Sequence, residues 1–192
     1  MAIITIPTIR SAGSNMKLLR GDSVLEHFSG SVDIVAPPKA LWILTFPLVT
    51  QRLATARAWQ AALVQLSTYV NQFKAIDPSW FNGVAFSGTN PTVSGASQLG
   101  TSLTTIGGSS GAIALAGDYF EVNGELKMLT SDANGPGPTI NFEPALRQSP
   151  ANGAPIEFKI PKGTFRLATP TAEWAASLPD FIGITITAVE HF

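Results

Sequence analysis

The chain has 192 residues, of which 45% are hydrophobic and only 13% are charged, with a net charge of −1 and no cysteine. The absence of cysteine excludes disulfides and thiolate metal sites, and charges spread along the chain without a basic block give no reason to expect a nucleic-acid partner. The charged fraction is about half the usual share, so much of the surface is expected to carry no charge. Burial in a multi-subunit assembly would hide such a surface from water. A monomer with a plain, Thr/Ser-rich surface is the alternative.

The first fifty residues predict strands. The segments Ile3–Ile9, Ser31–Ala36 and Ala40–Thr50 are rich in β-branched or aromatic residues. Pro47 is expected at an edge or a bulge, because proline cannot donate to a ladder. The N-terminal residues carry no basic region followed by an apolar stretch, and the longest apolar run is too short to span a bilayer. We therefore expect neither a secretion signal nor membrane insertion.

The segment Gln51–Lys74 predicts one long helix. Thr50 is the candidate N-cap, and Asp77-Pro78 ends the segment. Because most helical stability comes from packing, we expect the apolar stripe to lie across a sheet, with a partner-binding face as the alternative. The stripe recurs at spacings of three and four and comprises Leu53, Ala56, Trp59, Leu63, Leu66, Val70 and Phe73.

The second half predicts short strands joined by turns. The stretch Asn82–Gly111 is uncharged and rich in Gly, Ser and Thr, with a flexible loop expected around Thr89–Ala96. Asn123-Gly124 is a strong two-residue hairpin signal. The predicted strands are Gly83–Phe86, Ser102–Ile106, Ala112–Leu115, Tyr119–Val122, Leu126–Thr130, Thr139–Phe142, Ile156–Ile160, Thr164–Ala168 and Ile182–Val189.

This pattern predicts a mainly β fold, a β-sandwich or barrel with one long helix packed on the sheet. Residues 1–192 are expected to form a single β-rich domain, in which 83–168 is a candidate barrel-like sub-domain.

A search for catalytic motifs finds one weak match. Gly107–Gly111 fits the pattern G-x-S-x-G, which has meaning only between a strand and a helix and with a histidine base. No helix is predicted after Ser109, and the chain has only His27 and His191. We interpret the motif as a small-residue turn and assign no catalytic, cofactor-binding or metal-binding residue.

The densest group of carboxylates is Asp118, Glu121 and Glu125, which flank a predicted hairpin. We expect these side chains to be outward-facing, solubilising charges, with a carboxylate pair for glycoside cleavage as the alternative. No phosphate-binding glycine motif is present. The chain is therefore not expected to be an enzyme or to need a cofactor.

Three aromatic residues point to another class of function. Trp80, Trp174 and Tyr119 offer flat faces on which a sugar ring can stack. A receptor-binding or carbohydrate-binding β module is therefore an alternative to a structural subunit.

One region carries a family resemblance. Between Leu115 and Ala168 the sequence gives, in order, an AGDYF turn, a hairpin, the strand TINFEPALR, the turn SPANGAP and the strand GTFRL. Together with the Ala56, Trp59 and Leu63 spacing on the helix, this order resembles distal tail or tail-tip ring proteins of long-tailed, siphophage-type bacteriophages. The resemblance covers roughly Ala40 to the C-terminus.

The resemblance implies a β-sandwich or barrel with a helix, assembled as a ring, commonly a hexamer, at the distal end of the tail tube. The implied partners are other copies, the tail tube protein and the tail-tip hub or baseplate, and the implied location is the virion, after synthesis in the host bacterial cytoplasm. No catalysis is implied. We expect edge strands to extend sheets between subunits and Thr89–Gly100 to order against the tube or hub. A tail tube or terminator subunit is the neighbouring alternative.

Overall fold

The computed structural model describes residues 2–35, 40–78, 88–110, 112–177 and 181–191. These residues form one α-helix among many short strands, which confirms the predicted mainly β class. In chain order the elements are β1 (Asn15–Arg20), β2 (Ser23–Glu26), β3 (Val32–Val35), β4 (Ala40–Pro47), β5 (Gln51–Arg52), α1 (Leu53–Leu66), β6 (Phe73–Ala75), β7 (Thr92–Val93), β8 (Gly100–Ile106), β9 (Ala112–Ala114), β10 (Tyr119–Val122), β11 (Glu125–Leu129), β12 (Ala133–Asn134), β13 (Thr139–Leu146), β14 (Ile156–Glu157), β15 (Gly163–Leu167), β16 (Ala175–Ser177), β17 (Phe181–Gly183) and β18 (Thr185–Glu190).

The first sheet has the antiparallel order β1-β4-β18-β15-β6. Along β4, every second side chain is buried, as period-two alternation requires: Trp42, Leu44 and Phe46. The buried stripe of α1 packs into the same core, with Trp59 only 2% exposed. The expected helix-on-sheet packing is therefore present.

The helix is shorter than the predicted Gln51–Lys74, because it has 14 residues and runs from Leu53 to Leu66. Its N-cap is Arg52, which is extended and makes no side-chain capping bond, so the assignment of Thr50 as the cap is wrong. The last two residues of the predicted stripe, Val70 and Phe73, lie beyond the helix, and Phe73 belongs to another element.

That element is β6, in which Phe73 pairs with Phe165 of β15 and stacks on it at a centroid distance of 6.3 Å. Val70, which was predicted to share the buried stripe, is 57% exposed. The prediction of a helix from the apolar spacing is wrong for this segment, because pairing with a strand almost a hundred residues away decides its conformation.

The second sheet has the order β14-β10-β11-β13-β8-β7, and its two edges meet. Thr92 forms a bridge with Pro155, the Val93 N–H donates to the Ala154 carbonyl at 2.9 Å, and the Gly153 N–H donates to the Val93 carbonyl at 2.9 Å. The sheet is thus a nearly closed barrel. The expected flexible loop at Thr89–Ala96 is wrong, because this segment supplies the closing strand.

Of the other predicted strands and turns, some are confirmed and some are wrong. The strand Tyr119–Val122 is confirmed, and so is its turn, in which Asn123 and Gly124 have φ values of 53° and 80°, as a two-residue hairpin loop requires. The predicted strand Ile3–Ile9 is wrong, since only an isolated bridge from Ile3 to Gln72 forms there.

Further along the chain, the predicted strand Ile182–Val189 is interrupted and divides into β17 and β18. The predicted strand Gly83–Phe86 lies outside the described residues. β1 and β2 have no counterpart among the sequence-based predictions.

Two hydrophobic cores share the β10–β11 hairpin. Tyr119 and Leu126 pack into the first core, with the first sheet and α1, whereas Phe120 and Val122 pack into the barrel core. Opposite faces of one hairpin therefore serve the two cores, because successive side chains of a strand point to opposite sides. Whether 83–168 forms a sub-domain of its own stays a prediction.

A cluster of four charged side chains joins the two sheets, and we call Glu125, Lys127, Arg147 and Glu190 the buried charge cluster. Lys127 is 0% exposed, Glu190 2% and Glu125 3%. The expectation that Glu125 faces outward is therefore wrong. The Lys127 ammonium lies 2.6 Å from the Glu125 carboxylate, which also accepts the backbone N–H of Arg147 at 3.2 Å.

The second carboxylate of the cluster ties β18 to both sheets. Glu190 accepts the backbone N–H of Trp42 at 3.1 Å and that of Leu126 at 3.3 Å, and the Arg147 guanidinium lies 3.7 Å away. Burial raises the pKa of Glu190 to about 7, although the Trp42 N–H and the Arg147 charge oppose the rise. Burial also lowers the pKa of Lys127, against the opposing effect of Glu125.

Candidate interaction surface

The most unusual surface is a two-stranded projection, residues Ser23–Val35, which we call the hairpin arm. Its strands β2 and β3 pair only with each other in the described chain, from Ser23 opposite Val35 to Glu26 opposite Val32. Every residue from Asp22 to Val35 is exposed. The arm therefore extends away from both cores.

The arm is apolar in spite of its exposure. Phe28 at the tip is fully exposed, and more than half of each of the other large apolar side chains is exposed: Val24, Leu25, Val32, Ile34 and Val35. Burying one such side chain contributes about 1.5–3 kcal/mol, and a lone two-stranded hairpin is marginally stable at best. A contiguous apolar element of this kind is typical of a contact surface.

The polar residues of the arm are mainly acidic. No lysine or arginine occurs between Gly21 and Val35, whereas Glu26 and Asp33 both lie within the arm. The one basic group that faces them is His27, whose Nε2 lies 2.8 Å from the Asp33 carboxylate. Because the arm has an apolar tip and an acidic flank, it would fit a surface with an apolar pocket and basic groups beside it.

A second surface lies where α1 begins, and we call it the helix-start groove. It has a volume of about 520 Å³. Its lining includes Pro7, Arg10, Val49, Arg52, Ala58 and Trp59. Trp59 is buried, whereas Val49, Arg52 and Ala58 are exposed. No aspartate or glutamate lines the groove in the described structure.

The N-terminal segment holds one wall of the groove in place. The Val49 N–H donates to the Arg10 carbonyl at 2.9 Å, and the Ala12 N–H donates to the Pro47 carbonyl at 3.1 Å. Arg10 is thereby fixed beside the end of β4. α1 has no acidic residue in its first turn and no side-chain cap. The partial positive charge at the start of the helix therefore adds to the positive charges of Arg10 and Arg52.

The residues singled out for catalysis are not assembled into a site. The Gly107–Gly111 motif leads into strand β9 rather than a helix, and Ser109 Oγ accepts the Thr89 N–H at 2.8 Å. Over the described ranges, neither His27 nor His191 has a hydrogen bond to Ser109. No group of three or more His, Asp or Glu suitable for a metal occurs in the same residues.

The three aromatic candidates for sugar stacking have different surroundings. Tyr119 is buried edge-on against Trp42 at a centroid distance of 5.7 Å, so its assignment as a stacking face is wrong. Trp174 is 40% exposed and, with Glu173, lines a groove of about 440 Å³. Trp80 lies outside the described residues.

Sequence reasoning identified only the second strand of the arm, within Ser31–Ala36. The signal for a hairpin was present, because the Ser29-Gly30 turn separates two runs rich in Val, Leu and Ile. Gly30 has a φ of 79°, and its N–H closes the turn onto the His27 carbonyl at 2.9 Å.

Within the described part of the chain, no helix has the length and apolar character needed to cross a membrane. No protein-family model matches the sequence, and no curated protein matches it.

Proposed function

We propose that the chain is a structural subunit of a bacteriophage tail, which forms an oligomeric ring at the distal end of the tail tube and connects it to the tail tip or baseplate. Its partners are other copies of itself, the tail tube protein and the hub or baseplate proteins, and it resides in the virion. It acts by assembly and not by catalysis.

The observation that carries the assembly part of the proposal is the hairpin arm. An element with six large apolar side chains in water, none of which belongs to either core of the described residues, has a physical reason to bind another protein surface. The low charge of the whole chain, 13%, supports the same conclusion, because few charges are available to keep a free surface hydrated.

The tail assignment rests on the ordered motifs between Leu115 and Ala168, and the fold is compatible with it. These motifs fall on β10 and β13 of the barrel and on β15 of the first sheet, and the SPANGAP turn joins β13 to β14. Within the described residues β1 and β6 are the outer strands of the first sheet, with the bridge from Ile3 to Gln72 just before β6, and such edges are where subunits of a ring would extend a sheet.

The experiment has two arms. Mass photometry of the purified chain is expected to give one discrete oligomer at micromolar concentration, and cryo-electron microscopy is expected to resolve it as a closed ring. Antibody labelling of intact phage particles is expected at the distal tail end. A strictly monomeric chain would contradict the ring, and labelling along the whole tube or at the head junction would instead favour a tube or terminator subunit.

One observation favours a second function, the binding of carbohydrate or receptor. The exposed face of Trp174 stands beside the carboxylate of Glu173 in a groove, and an aromatic face next to a hydrogen-bond acceptor is a common way to hold a sugar. Glycan-array binding that is lost on Trp174→Ala, but retained on Phe181→Ala as a matched aromatic control, would support it.

A further inference from the structure

The hairpin arm and the helix-start groove lie at opposite ends of one subunit. The arm leaves the first sheet where Arg20 of β1 pairs with Ala40 of β4, whereas the groove begins beyond the other end of β4, at Val49. The eight residues of β4 separate the two ends by about 23 Å at 3.3 Å per residue. The arm of one chain therefore stands far from its own groove.

The two surfaces are complementary in charge. The arm carries Glu26 and Asp33, with Asp22 directly before it, and contains no lysine or arginine. The groove carries Arg10 and Arg52 and no carboxylate among its described lining residues. No salt bridge within the described chain uses either arginine.

The two surfaces also match in size. The groove, at about 520 Å³, exceeds the roughly 150 Å³ that is sufficient to hold a benzene ring, so the Phe28 side chain and its neighbours have room to enter.

From these observations we infer that the hairpin arm of one copy inserts into the helix-start groove of the next copy, with Phe28 in the groove and the acidic flank of the arm against Arg10 and Arg52. The contact is heterologous, since it joins two different surfaces, and repeating it generates a ring when the rotation closes. This inference rests on the proposed function, because it names the surfaces through which the proposed ring forms.

The test uses two full-length variants that each lack one of the two surfaces. The arm variant is Phe28→Ser with Ile34→Ser, and the groove variant is Arg10→Glu with Arg52→Glu. All four side chains are exposed, so both variants are expected to fold, which circular dichroism checks. At a concentration where the wild-type chain is fully assembled, mass photometry is expected to show each variant alone as a monomer, with at least a tenfold rise in the concentration needed for assembly.

An equimolar mixture of the two variants is the decisive measurement. The groove variant keeps an intact arm, and the arm variant keeps an intact groove, so one productive contact per pair remains. The expected product is a 1:1 heterodimer that grows no further. The matched controls are Leu99→Ser, an exposed apolar residue outside both surfaces, and Arg57→Glu, an arginine of α1 outside the groove lining. Both controls are expected to assemble like the wild type.

The outcomes separate this inference from the function on which it rests. A wild-type chain that stays monomeric would contradict both. Wild-type assembly that persists in the arm variant would overturn the arm-in-groove contact and leave the ring intact. Two monomeric variants that form no heterodimer would show that the arm binds elsewhere on the neighbouring copy. Wild-type assembly that persists in the arm variant, together with loss of binding to a different tail protein, would assign the arm to that protein and overturn the inference.

Discussion

In the hairpin arm apolar side chains lie in water, whereas in the buried charge cluster charged side chains lie in the interior. Lys127 and Glu190 are almost fully buried, while Phe28 is fully exposed. The cluster is complete within one chain, because each buried charge has an opposite charge and hydrogen-bond donors or acceptors around it. The arm has no such complement among the residues that the structure describes. The buried charge cluster is thus expected to determine folding, and the hairpin arm to determine assembly.

The largest expected effect concerns the cluster. Lys127→Ala leaves Glu125 and Glu190 in the interior without their nearest ammonium, and breaking a buried ion pair in this way costs about 3–5 kcal/mol. Urea denaturation is expected to show a loss of that size in the free energy of unfolding. Lys17→Ala, on the exposed side of β1, is the matched control and is expected to change it by less than about 0.5 kcal/mol. Equal losses for the two variants would show that water reaches the cluster.

The pH dependence of stability is the next effect in size. Because the pKa of Glu190 rises from 4.5 to about 7 on folding, the folded chain binds this proton more tightly than the unfolded chain. Its contribution to stability is therefore full below pH 4.5 and is lost as the pH rises to 7, by as much as about 3 kcal/mol. In Glu190→Gln that decline is expected to be absent, so the difference in the free energy of unfolding between variant and wild type is expected to change by this amount between pH 4.5 and 7.

Denaturation measured at several pH values between 4 and 8 checks the Glu190 prediction. Glu157→Gln is the control with the opposite sign. Burial alone would raise the pKa of Glu157, but hydrogen bonds from Asn90 and from the backbone of Ile160 and Lys159 lower it. Its contribution is therefore lost as the pH falls below the ordinary value of 4.5. A Glu190→Gln variant with the wild-type slope from pH 4.5 to 7 would rule out the raised pKa.

A third prediction addresses the arm. In a dilute monomer the amides of Ser23–Val35 are expected to exchange hydrogen almost without protection, because the arm packs on neither core. In the assembled state their exchange is expected to slow at least tenfold, which corresponds to about 1.4 kcal/mol. Mass-spectrometric hydrogen exchange at two protein concentrations measures this, with the amides of β18 as an internal control. Strong protection of the arm in the monomer would contradict its independence from the cores.

The smallest expected effect is a change in the free energy of unfolding that differs between two turns. Gly124, in the hairpin that carries Glu125 into the cluster, has a φ of 80°, and Gly30, in the arm, has a φ of 79°. Alanine is strained at either position. We expect Gly124→Ala to lower the free energy of unfolding by about 1 kcal/mol and Gly30→Ala to leave it unchanged, because the arm contributes nothing to the cooperative core. Equal losses from the two substitutions would show that the arm folds as part of that core.

Local sequence patterns anticipated part of this fold. The strand character of β4 follows from its aromatic and apolar run, and the β10–β11 turn follows from Asn123-Gly124, because these features depend on residues that are neighbours in the chain. The helical character of Leu53–Leu66 was predictable for the same reason. Its end was not, because Phe73 pairs with Phe165 instead of continuing the helix.

The hairpin arm was harder to predict from the sequence than the fold was. A strand was expected at Ser31–Ala36, but nothing local indicates that β2 and β3 stand apart from both sheets. Likewise, Val93 looked like part of a flexible loop and is fully buried in the closing strand of the barrel.

The sequence by itself determined the mainly β class, the single helix beginning near residue 53, the tight Asn-Gly hairpin and the shortage of charge. Only the tertiary structure decided that Glu125 turns inward to Lys127 and that the apolar arm turns outward to water. The physical reason is that burial depends on partners distant in the chain, such as Arg147 and Glu190 for the cluster. For the arm, the described ranges of the chain provide no such partner, and this exposed apolar surface is the basis for proposing a second copy.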